Sequence, residues 1–176
     1  MDKWDPKRPW TWDWARPPES EVEAVKDQID FATDYEFLGT VHIPHVSVKE
    51  TVDIVEKARS LMFITCGVTP HHLNLSKNNM HENNGIMYKV NPPIREILHS
   101  SGLRDRLKMG KINWIETDHA PHTLEDKTER FMSGIPSLEN YFDLLKKLKR
   151  EWDFSFKQIS DLTYYNIKKV FKKIIE

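Results

Sequence analysis

The chain has 176 residues, with 26 Lys and Arg against 27 Asp and Glu for a formal net charge of −1, and is 30% charged and 39% hydrophobic. That balance excludes the basic excess of a nucleic-acid binder and the sparse hydrophobicity of a disordered tail, and the length suffices for one domain with a buried core. One cysteine, Cys66, excludes an intramolecular disulfide. With no signal-like apolar run and no stretch of about 20 apolar residues, the expectation is a cytoplasmic protein that does not enter a membrane.

Residues 1–18 stand apart, because they hold four of the six tryptophans (Trp4, Trp10, Trp12, Trp14) and four of the ten prolines (Pro6, Pro9, Pro17, Pro18). That density predicts an irregular strap packed on the rest, residues 19–176, without regular helix. From Ser20, Val22, Val25, Ile29 and Ala32 recur at helical spacing behind Glu19, Glu21 and Glu23, whose carboxylates suit a helix N-terminus. Thr40 to Ile43 reads as a buried strand ending at Pro44. Ser47-Val48-Lys49-Glu50 reads as a capping box opening a helix faced by Val52, Ile54, Val55 and Ala58. Leu61 to Thr65 is a second strand, and residues 67–93 a long polar loop of the functional kind.

Ile94 to Met109 reads as a helix interrupted near Gly102, and Lys111 to Thr117 as a third strand. Residues 118–136 are irregular; Ser137 then caps a helix with Leu138, Tyr141, Phe142, Leu144 and Leu145 on its face. Helical segments over Phe156–Leu162 and Tyr164–Ile174 close the chain. In the last, Lys168, Lys169, Lys172 and Lys173 form a solvated face opposite Ile167, Val170, Phe171 and Ile174. Strands alternating with helices predict an α/β fold with a parallel sheet, in which working residues cluster at the carboxyl ends of strands.

Three polar clusters fall at such ends. In His42-Ile43-Pro44-His45-Val46-Ser47 the two histidines point oppositely on a regular strand, which leaves His45 as the candidate metal ligand, with a hydrogen-bonded structural histidine as the alternative. In Thr69-Pro70-His71-His72-Leu73 adjacent histidines favour hydrogen-bonded loop roles over a shared metal. In Thr117-Asp118-His119-Ala120-Pro121-His122-Thr123, Asp118 suits a metal ligand or general base, or alternatively a turn cap.

These blocks, with Cys66-Gly67-Val68 ahead of the second and Lys89-Val90-Asn91-Pro92-Pro93-Ile94-Arg95 between, resemble the successive motifs of a dihydroorotase in order and distance. Ala15-Arg16-Pro17-Pro18-Glu19 and Ser133-Gly134-Ile135-Pro136-Ser137 extend the likeness over residues 15 to 170. Dihydroorotases belong to the amidohydrolase superfamily, so the resemblance implies a partial (β/α)8 TIM-type barrel comprising roughly the last three βα units. It implies divalent metal, usually zinc, held here by His45 and Asp118; Asp118 as proton shuttle; and Asn91 and His122 on the substrate. The reaction it implies is the interconversion of L-dihydroorotate and N-carbamoyl-L-aspartate in pyrimidine synthesis.

The family's His-x-His pair, carboxylated lysine and further histidine have no counterpart in the sequence, and Gly67 stands where many relatives carry glutamate. A barrel of three strands does not close, so a homo-oligomer or a completing chain is expected to supply the remaining metal ligands. A hydantoinase- or allantoinase-like activity is the alternative within the enzyme class, and a non-catalytic dihydroorotase-like partner subunit the alternative outside it.

Overall fold

The computed structural model describes residues 4–171. Its centre is a parallel sheet of three strands in the order β1 (Val41–Ile43), β2 (Ile64–Val68), β3 (Trp114–Ile115). Val41, His42 and Ile43 pair with Ile64, Thr65 and Cys66, and Gly67 and Val68 with Trp114 and Ile115. Every residue of β2 is buried, as a central parallel strand covered on both faces requires. The apolar core lies between this sheet and α2 (Pro18–Asp34), α3 (Lys49–Ala58), α5 (Ile97–Lys108) and α7 (Leu138–Arg150). Val25, Ile29, Val52, Val55, Leu103, Leu107, Leu144 and Leu148 face inward. Among the described residues no helix is long and apolar enough to cross a membrane.

Several elements differ from the sequence reading. Residues 9–15, rather than being wholly irregular, form a 3-10 turn (Pro9–Thr11) and a short helix α1 (Trp12–Ala15), because Pro9 sits at the first helical position, where its missing N–H is harmless. The second strand runs three residues later, over Ile64–Val68 instead of Leu61 to Thr65, and leaves Leu61 and Phe63 exposed. Residues 67–93 are not one loop: they contain α4 (Pro70–Asn74) and 3-10 turns at Lys77–His81 and Gly85–Tyr88 over a small core of Met80, Val90, Ile94 and Ile135. Helix α5 passes unbroken through Gly102, where a Cβ would lie 2.5 Å from Cδ of Lys49; the glycine admits a neighbour rather than ending the helix.

Two caps were misread. Ser47 does not cap α3, whose N-cap is Val48 with no side-chain bond; its hydroxyl donates instead to the Glu21 carboxylate. Ser137 gives α7 no side-chain cap either, and the ring Nδ1 of His119 accepts from the backbone N–H groups of Ser137 (3.0 Å) and Leu138 (3.3 Å). Leu138 and Phe142 lie on the exposed side of α7. The third strand is confined to Trp114–Ile115, residues 118–136 include α6 (Leu124–Thr128), and the last helices join as α8 (Phe156–Ser160), a π turn (Asp161–Tyr165) and α9 (Asn166–Val170). Lys172, Lys173 and Ile174 lie outside the described residues.

A buried polar network ties the N-terminal segment down. Arg95, 4% exposed, reaches Asp13 Oδ1 at 2.7 Å, Ser47 Oγ at 2.9 Å and the carbonyl of Arg16, with Glu21 at 3.7 Å. Glu21 in turn accepts from the N–H of Ser47 and Val48 (both 3.1 Å) and the hydroxyl of Thr51 (2.9 Å). Trp12 donates its indole N–H to Val90 O at 3.1 Å and Asn91 Oδ1 at 3.2 Å, and its ring meets the Lys89 ammonium 4.1 Å from the centroid.

Candidate functional site at the carboxyl ends of the strands

The chemistry-bearing side chains gather where the three strands end. Two residues there, His45 after β1 and Asp118 after β3, adopt left-handed backbone with φ of 40° and 45°. Non-glycine residues hold that conformation only where their surroundings impose it. For His45 the constraint is visible: its N–H donates to Glu116 Oε2 at 2.7 Å. Its ring Nδ1 is buried and finds no hydrogen-bond partner.

Glu116 is the hub that sequence reading missed. Its Oε1 accepts from His42 Nε2 at 2.5 Å and from Trp114 Nε1 at 2.9 Å. His42 stacks on Trp114 with centroids 4.5 Å apart, and its Nδ1 faces the Thr65 hydroxyl at 2.9 Å. Burial alone would raise the Glu116 carboxyl, but the hydrogen bonds from His42 and the His45 N–H outweigh it and hold the group below its ordinary value. The carboxylate lies directly over Gly67: a Cβ there would be 2.2 Å from Glu116 Oε1. The glycine at position 67 is thereby explained, since β2 must be bare where the side chain of Glu116, one residue past β3, crosses it. The one available signal was a charged residue, Glu116, directly following the run Ile112–Ile115, together with that glycine.

Asp118 is half-buried. Burial raises its carboxyl above the ordinary value, with His45 opposing and Glu116 adding to the rise. Beside it, 3.9 Å from Asp118 Oδ2, is Nε2 of His71, a buried atom without a hydrogen-bond partner; the other ring nitrogen of His71 meets Ser137 Oγ at 3.3 Å. Burial, with His45 nearby, depresses His71 to about 3, so it is neutral at physiological pH. His72 is a structural residue: Nδ1 faces the Thr69 hydroxyl at 2.8 Å and Nε2 donates to Pro92 O at 3.0 Å.

His45 and Asn91 line one cleft of about 480 Å³ together with Arg16, Glu21 and Arg95, whereas a second cavity of about 300 Å³ touches His71 and Ser137 behind the strand ends. Asn91 is exposed, and its Oδ1 is partly engaged by Trp12. His122 stands apart from that cleft; its Nε2 donates to Ser133 O at 3.0 Å, leaving Nδ1 as the ring's remaining polar atom. Lys127, next in chain order, is spent on structure, with its ammonium on the carbonyls of Lys89 (2.9 Å), Met132 (3.1 Å) and Gly134 (2.8 Å).

Metal ligation can be tested against these atoms. The unpartnered nitrogens of His45 and His71 and the carboxylate of Asp118 are donors of the type zinc takes. Among the described residues, however, no group of three or more His, Cys, Asp or Glu side chains is disposed to hold a metal ion. The donor set is thus of the right chemistry and incomplete.

The small parallel α/β unit with acid–base residues at its strand ends has counterparts of the same fold among solved structures. Among solved structures, dihydropyrimidinase from Brevibacillus agri superposes with a TM-score of 0.83 at 23% identity, covering 95% of this chain and 38% of that one. Dihydroorotase from Saccharomyces cerevisiae superposes with a TM-score of 0.73 at 14% identity, covering 84% of this chain and 42% of that one. In sequence, the chain is 34% identical to the dihydroorotase of Halobacterium salinarum over 163 residues and 32% identical to that of Methanosphaera stadtmanae over 164. Those matches cover 91% and 92% of the chain; a dihydroorotase of Staphylococcus aureus is 39% identical over 132 residues, 72% of the chain. No family model matches. The chain thus resembles dihydroorotases in sequence over most of its length, and it spans 30–37% of the length of these relatives.

Proposed function

We propose that the chain carries the Asp118 side of the active site of a cyclic-amide hydrolase, with dihydroorotate and N-carbamoyl-L-aspartate as the substrate pair. The observation that carries this reading is the meeting of Asp118, its proton affinity raised by burial, with unpartnered ring nitrogens from two other strand-end loops. A carboxyl whose proton affinity is raised is better suited to passing a proton than one at its ordinary value. Asp118 takes a proton from the attacking water as the water adds to the ring carbonyl. It then delivers that proton to the ring nitrogen as the carbon–nitrogen bond breaks, leaving the open carbamoyl acid. Asn91, which lines the His45 cleft, binds the ring. His122, held through Nε2 on the Ser133 carbonyl, keeps Nδ1 for the substrate carboxylate.

His45 and Asp118 would hold a divalent metal, zinc by its match to nitrogen and carboxylate donors, and the ion would acidify water and polarise the carbonyl. The other donors, and the strands that would complete a (β/α)8 barrel, would be supplied from outside this stretch of chain. The apolar rim at the amino end of the sheet, where Leu38 is 94% exposed and Phe63 77%, supports an interface with them. A non-catalytic partner subunit is the second reading, favoured by the incomplete donor set among the described residues. A hydantoinase- or allantoinase-type ring is the alternative substrate, and the structural likeness to dihydropyrimidinase fits it.

The deciding experiment is dihydroorotate hydrolysis by the purified chain supplied with zinc, with metal content read by mass spectrometry and dihydrouracil as the comparison substrate. Turnover of dihydroorotate with bound zinc supports the enzyme reading. Inactivity without bound metal, persisting in the presence of the amino-terminal half of a dihydroorotase, overturns it in favour of the partner subunit.

A further inference from the structure

The carboxylate of Glu116 connects three strands that the backbone joins only by ladder bonds. It accepts from His42 on β1 and Trp114 on β3, lies across bare Gly67 on β2, and takes the N–H of His45 beyond β1. The His45 N–H has a carboxylate oxygen at 2.7 Å while its own φ is +40°. A charge-assisted bond is about twice as strong as a neutral one, and here it fastens the residue that is in the less favoured backbone conformation. The His45 ring has no such tether: among the described residues the only hydrogen bond of His45 is that of its backbone N–H, and the ring Nδ1 is buried without a partner. Metal-binding histidines are ordinarily aimed by a hydrogen bond to the ring nitrogen away from the ion. In this chain the aim comes from the main chain.

We propose that Glu116 is the positioning residue of this site: it fixes His45 in its left-handed conformation and thereby sets the direction of the imidazole. Its identity is constrained from both sides. Glutamine keeps the shape but replaces one acceptor oxygen with an amide donor, so either the His45 N–H or the pair His42 Nε2–H and Trp114 Nε1–H faces a donor. Aspartate is one methylene too short to span from β3 to the His45 main chain. Naming His45 a metal ligand rests on the function proposed above; the geometry assigned to Glu116 does not.

The test uses the full chain, isotopically labelled, in the wild type, Glu116→Gln, Glu116→Ala and Thr65→Val. The last removes the other partner of the His42 ring and leaves Glu116 in place. The expected result is a low-field His45 amide proton in the wild type and in Thr65→Val, shifted upfield in both Glu116 variants. A loss of His45 left-handed backbone shifts accompanies it, while core amides such as Val52 and Leu103 stay put. An unmoved His45 amide in a folded Glu116→Gln overturns the proposal, as does an equal shift in Thr65→Val. Should Glu116→Ala not fold, Gly67→Ala supplies the second arm, because its Cβ displaces the same carboxylate. Titration with zinc ion alone then separates the two claims. Perturbation of the wild-type His45 ring that requires about 10–100-fold more zinc in Glu116→Gln supports positioning for metal. A His45 ring indifferent to zinc in the wild type overturns the ligand role and leaves the amide result to decide the geometry.

Discussion

Removing the Arg95 guanidinium should loosen the N-terminal segment and lower the stability of the whole domain. The side chain is 3% exposed and answers to Asp13, Ser47, the Arg16 carbonyl and Glu21, which belong to the N-terminal segment, α2 and the turn after β1. Breaking a buried ion pair by deleting one partner costs roughly 3–5 kcal/mol, most of it the penalty of the charge left behind. Here the orphans are partly cared for: Asp13 retains Lys77 at 3.3 Å, and Glu21 retains two N–H groups and two hydroxyls. The loss for Arg95→Met therefore belongs at the lower end, about 3 kcal/mol. For a chain of this length that corresponds to a fall in Tm of roughly 6–12 °C. Urea denaturation followed by tryptophan emission measures it, and Asp13→Asn with the double variant closes a cycle in which the two losses must not add. A loss under about 1 kcal/mol, or strict additivity, refutes the claim that this network, rather than apolar contact alone, seats the segment.

Asp118→Asn in an assembly that turns over dihydroorotate should abolish turnover with the fold intact, and retained kcat would remove Asp118 from the mechanism. The same variant should raise the Tm at neutral pH. A carboxyl whose proton affinity is raised by folding contributes stability when protonated and loses it as pH rises through that raised value, so the gain should vanish in melts below the usual carboxylate range. His71 acts in the opposite sense, since a base depressed to about 3 costs stability as pH falls below about 6.5, by roughly 1.4 kcal/mol per pH unit; His71→Gln should flatten that limb of the stability curve. The Cys66 thiol, fully buried and pushed up to about 12, should resist a disulfide reagent at pH 8 in the folded chain and react promptly in denaturant.

The helices and strands were legible wherever the signal was local. Glutamates crowding residues 19–23 marked the start of α2, and Val52, Val55 and Ala58 marked the inner face of α3. Errors arose where a distant residue had claimed a side chain. Ser47 has a capping sequence around it, but Glu21, 26 positions away, takes its hydroxyl. Ser137 lost its cap to His119 from the preceding loop. β2 extends through Gly67, which falls at the start of the loop expected over residues 67–93, because the bare glycine leaves clearance there for Glu116. The candidate residues His45, Asn91, Asp118 and His122 are singled out in the sequence by resemblance. Glu116 and the open nitrogen of His71 are not, since both depend on which atoms lie across the sheet rather than along the chain.

The indole N–H of Trp12 is shared between the Val90 carbonyl and the Asn91 side chain. An amide that is to grip a ligand in the His45 cleft must therefore either keep that bond or surrender it. If it surrenders it, ligand affinity and the docking of the N-terminal segment become linked equilibria, each altering the other by the same factor. The tryptophan-rich strap is then a thermodynamic participant in occupancy, and the emission of Trp12 is a reporter of it already built into the chain.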